Sequence, residues 1–304
     1  MSAVAEAARP ITRPTSRTRR LRKSRFGRIL FRSPFYLLVT VIIVYCLFPF
    51  YWAVRSSFTP EGDLFVTPLQ YFPSNPTLDN YRGALSASFF TDALLNSTIV
   101  ALSVTLISLV IGASAAFALG RFHFHGRSFV MYLMLSMTIF PQIAILGALY
   151  TSINKFGLYD KLGALIFSYL IFTLPFTIWV LTSFMQQLPG ELEEAAYVDG
   201  ASPLQVFWKV LLPLIAPGLV TTGLLAFISA WNEYLYALSF IQSPSNYTVP
   251  LAITSFVSKS GSAFAVPWGQ VMAATVIVTM PLIIAVLILQ KRIIAGLTAG
   301  GVKG

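Results

Sequence analysis

Seven stretches of this 304-residue chain run for more than twenty residues without Asp, Glu, Lys or Arg: 33–54, 93–120, 128–154, 162–190, 210–232, 234–258 and 260–290. A helix that crosses a hydrocarbon core about 30 Å thick needs roughly 20 mostly apolar residues. Six of the stretches meet that need, and they predict spans at about 34–53, 93–119, 129–151, 163–186, 211–240 and 268–290. The exception has a polar centre, Gln242-Ser243-Pro244-Ser245-Asn246-Tyr247. Backbone at membrane depth must be hydrogen-bonded internally, so such a break is costly against lipid. The region 241–267 therefore reads as an external loop, with a re-entrant segment as the alternative. The expected fold class is all-α: a polytopic membrane protein with six transmembrane helices.

Composition agrees. Only 11% of the residues are charged, against about 25% in soluble globular chains. An ordinary soluble domain and a disordered chain are both excluded. The net charge of +10 is concentrated at one end, since ten basic residues and one acid precede residue 33. A basic nucleic-acid-binding surface does not fit that distribution, and no nucleic-acid partner is expected. With the N-terminus placed in the cytoplasm, the internal segments hold sixteen Lys and Arg and the external ones five. The positive-inside rule then puts both termini on the cytoplasmic side, and a multi-pass protein of the cell (inner) membrane is expected. Residues 1–32 are expected to be a disordered cytoplasmic tail, 33–290 the permeating domain and 291–304 a cytoplasmic C-terminal tail. The basic tail has two readings, a topology determinant or a segment attracted to anionic membrane lipid. A cleaved signal peptide fits poorly, because a long tail precedes the first span and no small-x-small site follows it.

Several features inside the spans bear on function. Pro141, Pro175, Pro217 and Pro281 suggest kinks, whereas Pro213 suits a helix start. Gly112, Ala113, Ser114, Ala115, Ala116, Ala118 and Gly120 are small, which lets helix backbones approach closely. Glu233 follows Trp231 and Asn232. A buried acid in a span faces protein or a water-filled cavity, so these three residues either line a solute path or sit at the interface. Cys46 is the single cysteine, and His123 and His125 are the only histidines, so no disulfide framework and no metal site are expected. The chain has no G-x-x-x-x-G-K-[ST] loop, no H-E-x-x-H and no G-x-S-x-G. No catalytic residue and no bound cofactor are expected.

The segment 187–210 carries the most information. Glu191, Glu193 and Glu194 suit the first turn of a helix, where the dipole favours negative charge, and Gly200 suits its stop. Leu192, Ala195, Ala196 and Asp199 share a face. Ser202, Pro203 and Gln205 then predict a capped start to a second helix. A short acidic helix between the fourth and fifth spans would move both if pushed. An amphipathic helix lying on the membrane is a poor alternative, because the inner leaflet is negative.

Glu194-Ala195-Ala196, Asp199-Gly200-Ala201 and Leu212-Pro213 resemble the EAA loop of binding-protein-dependent ABC importers. The ending Gly296-Leu297-Thr298-Ala299-Gly300-Gly301-Val302-Lys303-Gly304 is similar to that of the second permease subunit of maltose- and trehalose-type importers, as is Trp231-Asn232-Glu233. The resemblance covers roughly residues 30–304. It implies a type I importer permease architecture and uptake of an α-linked disaccharide. It also implies a homologous permease, two ATPase subunits that hold ATP and Mg, and an extracytoplasmic sugar-binding protein as partners. Glu194 would pair with a basic residue of the ATPase, and Ala195, Ala196, Asp199 and Gly200 would seat the loop there. Thr298, Gly300, Gly301 and Lys303 would reach between the ATPase subunits. The competing expectation is an ion-gradient-driven secondary transporter, for which Glu233 is the one convincing ionisable candidate.

Overall fold

The computed structural model describes the backbone of residues 25–258 and 266–301 and the side chains of 34–258 and 266–290. Among these residues all regular structure is helical: α1 (Arg25–Ser57), α2 (Asp79–Ser86), α3 (Ser88–Arg121), α4 (Arg127–Ile139), α5 (Leu146–Lys155), α6 (Leu162–Gln187), α7 (Glu191–Val198), α8 (Pro203–Gln205), α9 (Leu212–Leu214), α10 (Ala216–Trp231), α11 (Leu235–Phe240), α12 (Val249–Ser258) and α13 (Trp268–Gly301). The chain divides into two compact units, residues 1–51 and 52–304. The described part of the first is most of α1, whose apolar side chains from Phe35 to Phe50 are exposed apart from the half-buried Val39. Such a surface suits lipid or another chain, not water.

The second unit is organised by α3 and α6. Ser108, Gly112, Ala116 and Gly120 recur every fourth residue along α3, and Thr173, Thr177, Leu181 and Met185 do the same along α6. The two rows meet in order. The Ser108 and Thr173 hydroxyls share a hydrogen bond of 2.8 Å. A Cβ at Gly112 would lie 2.6 Å from Thr177 Cγ2, and one at Gly120 would lie 2.6 Å from Met185 Cβ. Ala116 and Leu181 are fully buried. Because the matched positions rise together, the helices are parallel, as the second and fourth of six spans must be. Of the small residues predicted to permit close packing, Gly112, Ala116 and Gly120 form this row, Ser114 is exposed, and Ser108 extends the row by one turn.

Four helical segments are long and apolar enough to cross a bilayer, and counting each of two bent pairs as one crossing gives six. The third and fifth predicted spans need correction, because neither is one helix. α4 and α5 meet at a 97° bend. Pro141 stands there, and a proline disfavours helical backbone in the residue before it; Phe140 is extended. The fifth span breaks twice. Pro203–Leu214 and Ala216–Trp231 are bent by 75°, after a π-helical stretch at Val206–Leu211 and around Pro213. Asn232 then ends α10, and residues up to Phe240 form the separate α11. Pro213 and Pro217 stand in the first turns of α9 and α10, whereas Pro175 and Pro281 lie inside continuous helices.

The predicted loop 241–267 is not irregular throughout its described part. It contains α12, whose Val249, Leu251, Ala252, Ser255 and Phe256 are buried. Those residues are uncharged because they belong to the core. The polar run before α12 is satisfied by side chains from elsewhere. Asn96 Nδ2 donates to the carbonyls of Ser245 and Tyr247 at 2.8 and 3.0 Å, and Ser97 Oγ accepts from Val249 N–H at 2.8 Å.

Candidate functional site

The segment 187–210 folds as its residues dictate. Three acids occupy the first turn of α7. Gly200 stops the helix in left-handed backbone at φ 81°, where a side chain would be strained. The predicted capping box is present: Ser202 Oγ accepts from Gln205 N–H at 3.4 Å, and Gln205 Oε1 accepts from Ser202 N–H at 2.8 Å.

The face predicted to hold Leu192, Ala195, Ala196 and Asp199 is mostly turned outward. Leu192, Ala195 and Asp199 are exposed, as are Glu191, Glu194, Tyr197, Val198 and Gly200. The inward side consists of Glu193 and Ala196, both half-buried. Ala196 packs on a core cluster formed by Ala113, Ala116, Leu181, Met185, Val206, Phe207, Leu211 and Ile215. Glu193 meets Arg121, the last residue of α3, with Nε and Oε1 2.6 Å apart and side chains 13% and 14% exposed. The N–H is not aligned on the carboxylate, so the contact is an ion pair and not a straight hydrogen bond. The same guanidinium donates from Nη2 to the Leu188 carbonyl at 3.0 Å, just past the end of α6. Sequence reasoning missed both residues. The position of Arg121 at the end of a span was a signal, but its partner lies 72 positions away.

The other candidates fall elsewhere. Trp231 is 2% exposed and stacks on Phe227 at 5.5 Å. Glu233 is half-buried and caps α11, accepting from the N–H groups of Tyr236 and Ala237 at 2.9 and 3.3 Å. Asn232 is the exposed member of the three. His123 and His125 are exposed, and no group of metal-ligating side chains forms among the described residues. Thr298, Gly300 and Gly301 lie on the continuous helix α13, in a part whose side chains are not described, and Lys303 lies outside the described residues.

The opposite end of α3 and α6 holds a second polar junction, which sequence reasoning did not anticipate. Asp160 has left-handed backbone at φ 57°. Its carboxylate accepts from the N–H groups of Gln242 and Ser243, both at 2.9 Å, and from the Ser243 hydroxyl. Its carbonyl accepts from Asn246 Nδ2 at 2.6 Å. Burial raises the Asp160 pKa, but the bonds from Ser243, Gln242 and Asn246 outweigh it and hold the carboxyl below its ordinary value. A depressed carboxylate stabilises the fold above its unfolded-state pKa and loses that contribution as pH falls through the folded value. Amide exchange at 240–247 should therefore be pH-independent in protection from neutrality down to about pH 4 and lose protection below it. Asp160→Asn should expose the same amides at neutral pH.

Residues 108–298 match the family model described as the binding-protein-dependent transport system inner membrane component. The chain belongs to that family. It is thus a multi-pass membrane component that works with a binding protein and other transporter subunits. It is 41% identical over 268 residues to the trehalose transport system permease protein SugB of Mycobacterium tuberculosis, covering 88% of this chain and 96% of that one. It is 42% identical over 266 residues to the trehalose/maltose transport system permease protein MalG of Thermococcus litoralis, covering 87% and 94%. In fold it is similar to a chain of a bacterial ABC transporter involved in the import of alginate, at TM-score 0.76 and 22% identity over 88% of this chain and 98% of that one. The expected importer-permease fold is the one found.

Proposed function

We propose that this chain is a permease subunit of an ATP-driven importer of an α-linked disaccharide such as trehalose or maltose. Its partners would be a homologous permease, two ATPase subunits and an extracytoplasmic sugar-binding protein. ATP and Mg would be held by the ATPase subunits. The single observation that carries the reading is α7: a short acidic helix, set between α6 and the α8–α10 segment, that exposes Glu194, Ala195, Tyr197, Val198 and Asp199. An eight-residue helix that leaves apolar and acidic side chains outward is built to be covered by another protein. The two permease relatives at about two-fifths identity support the sugar class.

In this reading α7, residues 1–32 and residues 291–304 are cytoplasmic, as the placement of basic residues requires. The Asp160–Ser243 junction then faces outward, toward the binding protein. ATP binding closes the ATPase dimer, α7 follows, and the pathway opens to the outside. Glu194 pairs with a basic ATPase residue, and the C-terminal Thr298–Lys303 reaches between the ATPase subunits. Asn232 borders the path, while Trp231 and Glu233 hold the break between α10 and α11.

The test is reconstitution. The chain, co-purified with its native partners and placed in proteoliposomes, should take up labelled trehalose or maltose only with the binding protein outside and ATP inside. Uptake driven by an ion gradient without ATP would overturn the reading.

A further inference from the structure

We infer that Arg121 is a positioning residue that ties the coupling helix α7 to α3, so that motion of α7 reaches α3 through a side-chain strut as well as through the chain. The inference rests on the function proposed above and concerns a contact that function does not require.

The covalent routes away from α7 are not continuous helix. Toward α6 the chain passes through Leu188-Pro189-Gly190. Toward α10 it passes through Gly200 in left-handed backbone, a π-helical stretch and a 75° bend. Neither route joins α7 to the next long helix as one straight rod. The Arg121–Glu193 contact is short and direct. Arg121 terminates α3, the helix whose row from Ser108 to Gly120 locks to α6 over about three turns. One guanidinium reaches Glu193 of α7 and the Leu188 carbonyl beyond α6. A planar guanidinium can pair in charge with one group while donating a hydrogen bond to another, which a lysine ammonium on a flexible stem does less well.

The charges are assigned economically. Glu191, Glu194 and Asp199 are exposed on α7, whereas Glu193 alone of its acids is turned inward. Arg127, the nearby cation, donates to the Gly120 carbonyl at 3.3 Å. Loss of either partner leaves the other as a largely buried, uncompensated charge. The pair also suits both helix dipoles, with an acid in the first turn of α7 and a cation in the last turn of α3. The apolar seat of the element is separate, through Phe117 on Phe207 at 5.0 Å and Ala196 on its cluster. Assembly can therefore survive when the strut is removed.

The experiment uses the full complex in proteoliposomes. Glu193→Gln and Arg121→Gln should each lower sugar uptake and binding-protein-stimulated ATP hydrolysis about tenfold, within the ordinary range of coupling between sites. Basal ATP hydrolysis and subunit stoichiometry should stay near wild type, which a merely structural defect would not allow. Arg121→Lys should fall between. The exchange Arg121→Glu with Glu193→Arg should recover several-fold over either single reversal, incompletely because it opposes both dipoles. The strut is overturned if the glutamine variants couple normally. It is also overturned if stimulated and basal hydrolysis fall together, or if the exchange is no better than the single reversals. Should wild type itself fail to transport, the proposed function fails. If wild type transports, Glu194→Arg does not, and the strut variants do, only this inference fails.

Discussion

Glu194→Arg is expected to abolish sugar uptake and binding-protein-stimulated ATP hydrolysis by the assembled complex. Glu194 is exposed in the first turn of α7, one position after the acid that turns inward. Among the described residues its carboxylate forms no ion pair, since those found there involve Asp79 and Glu193. Reversal would oppose the proposed basic partner with a like charge, and it also places a cation at a helix N-terminus, where the dipole disfavours it. Breaking a desolvated interfacial charge pair costs about 2–5 kcal/mol, most of it from the group left unpaired. Uptake should then fall by about thirtyfold to a few thousandfold. Glu194→Gln removes the attraction without adding repulsion, and should retain more activity. Uptake of labelled sugar, measured beside co-purification of the ATPase, checks both. Unaltered uptake in Glu194→Arg would remove α7 from the mechanism.

The second large effect concerns the α3–α6 contact. Gly120→Ala is expected to destabilise the folded chain by about 1–3 kcal/mol, the usual cost of overpacking. The new methyl would stand 2.6 Å from Met185 Cβ, an atom fixed to its own backbone, so the helices must part. Gly120→Leu should prevent assembly. Gly147 in α5 is the control. Nothing lies within 4 Å of where its Cβ would be, and Ala is favoured over Gly in a helix interior by up to about 1 kcal/mol. Gly147→Ala should therefore be neutral or stabilising. Thermal denaturation of the purified complex in detergent distinguishes the two glycines. Equal effects would show that the α3–α6 row is not the tight contact described.

Much of this protein was legible before any coordinates. Six spans followed from charge-free length, because a bilayer core excludes charges over a fixed thickness. The α7 turn was legible from Glu191, Glu193, Glu194, Gly200, Ser202 and Gln205, because caps and dipoles act over three or four residues. The family resemblance rested on residues adjacent in the chain. What could not be read was every contact between distant residues. Gln242–Tyr247 read as a loop and is one, but the partners of its polar groups were not visible in the sequence. Asp160, Asn96 and Ser97 supply those partners from 82 to 152 positions away. Leu192, Ala195 and Ala196 shared a face on paper, but Glu193 and Ala196 face inward because Arg121 and the Phe207 cluster stand there. Local interactions are written along the chain and survive without a fold. Which acid is paired and which is left for a partner depends on where two distant helix ends meet, and packing alone decided that.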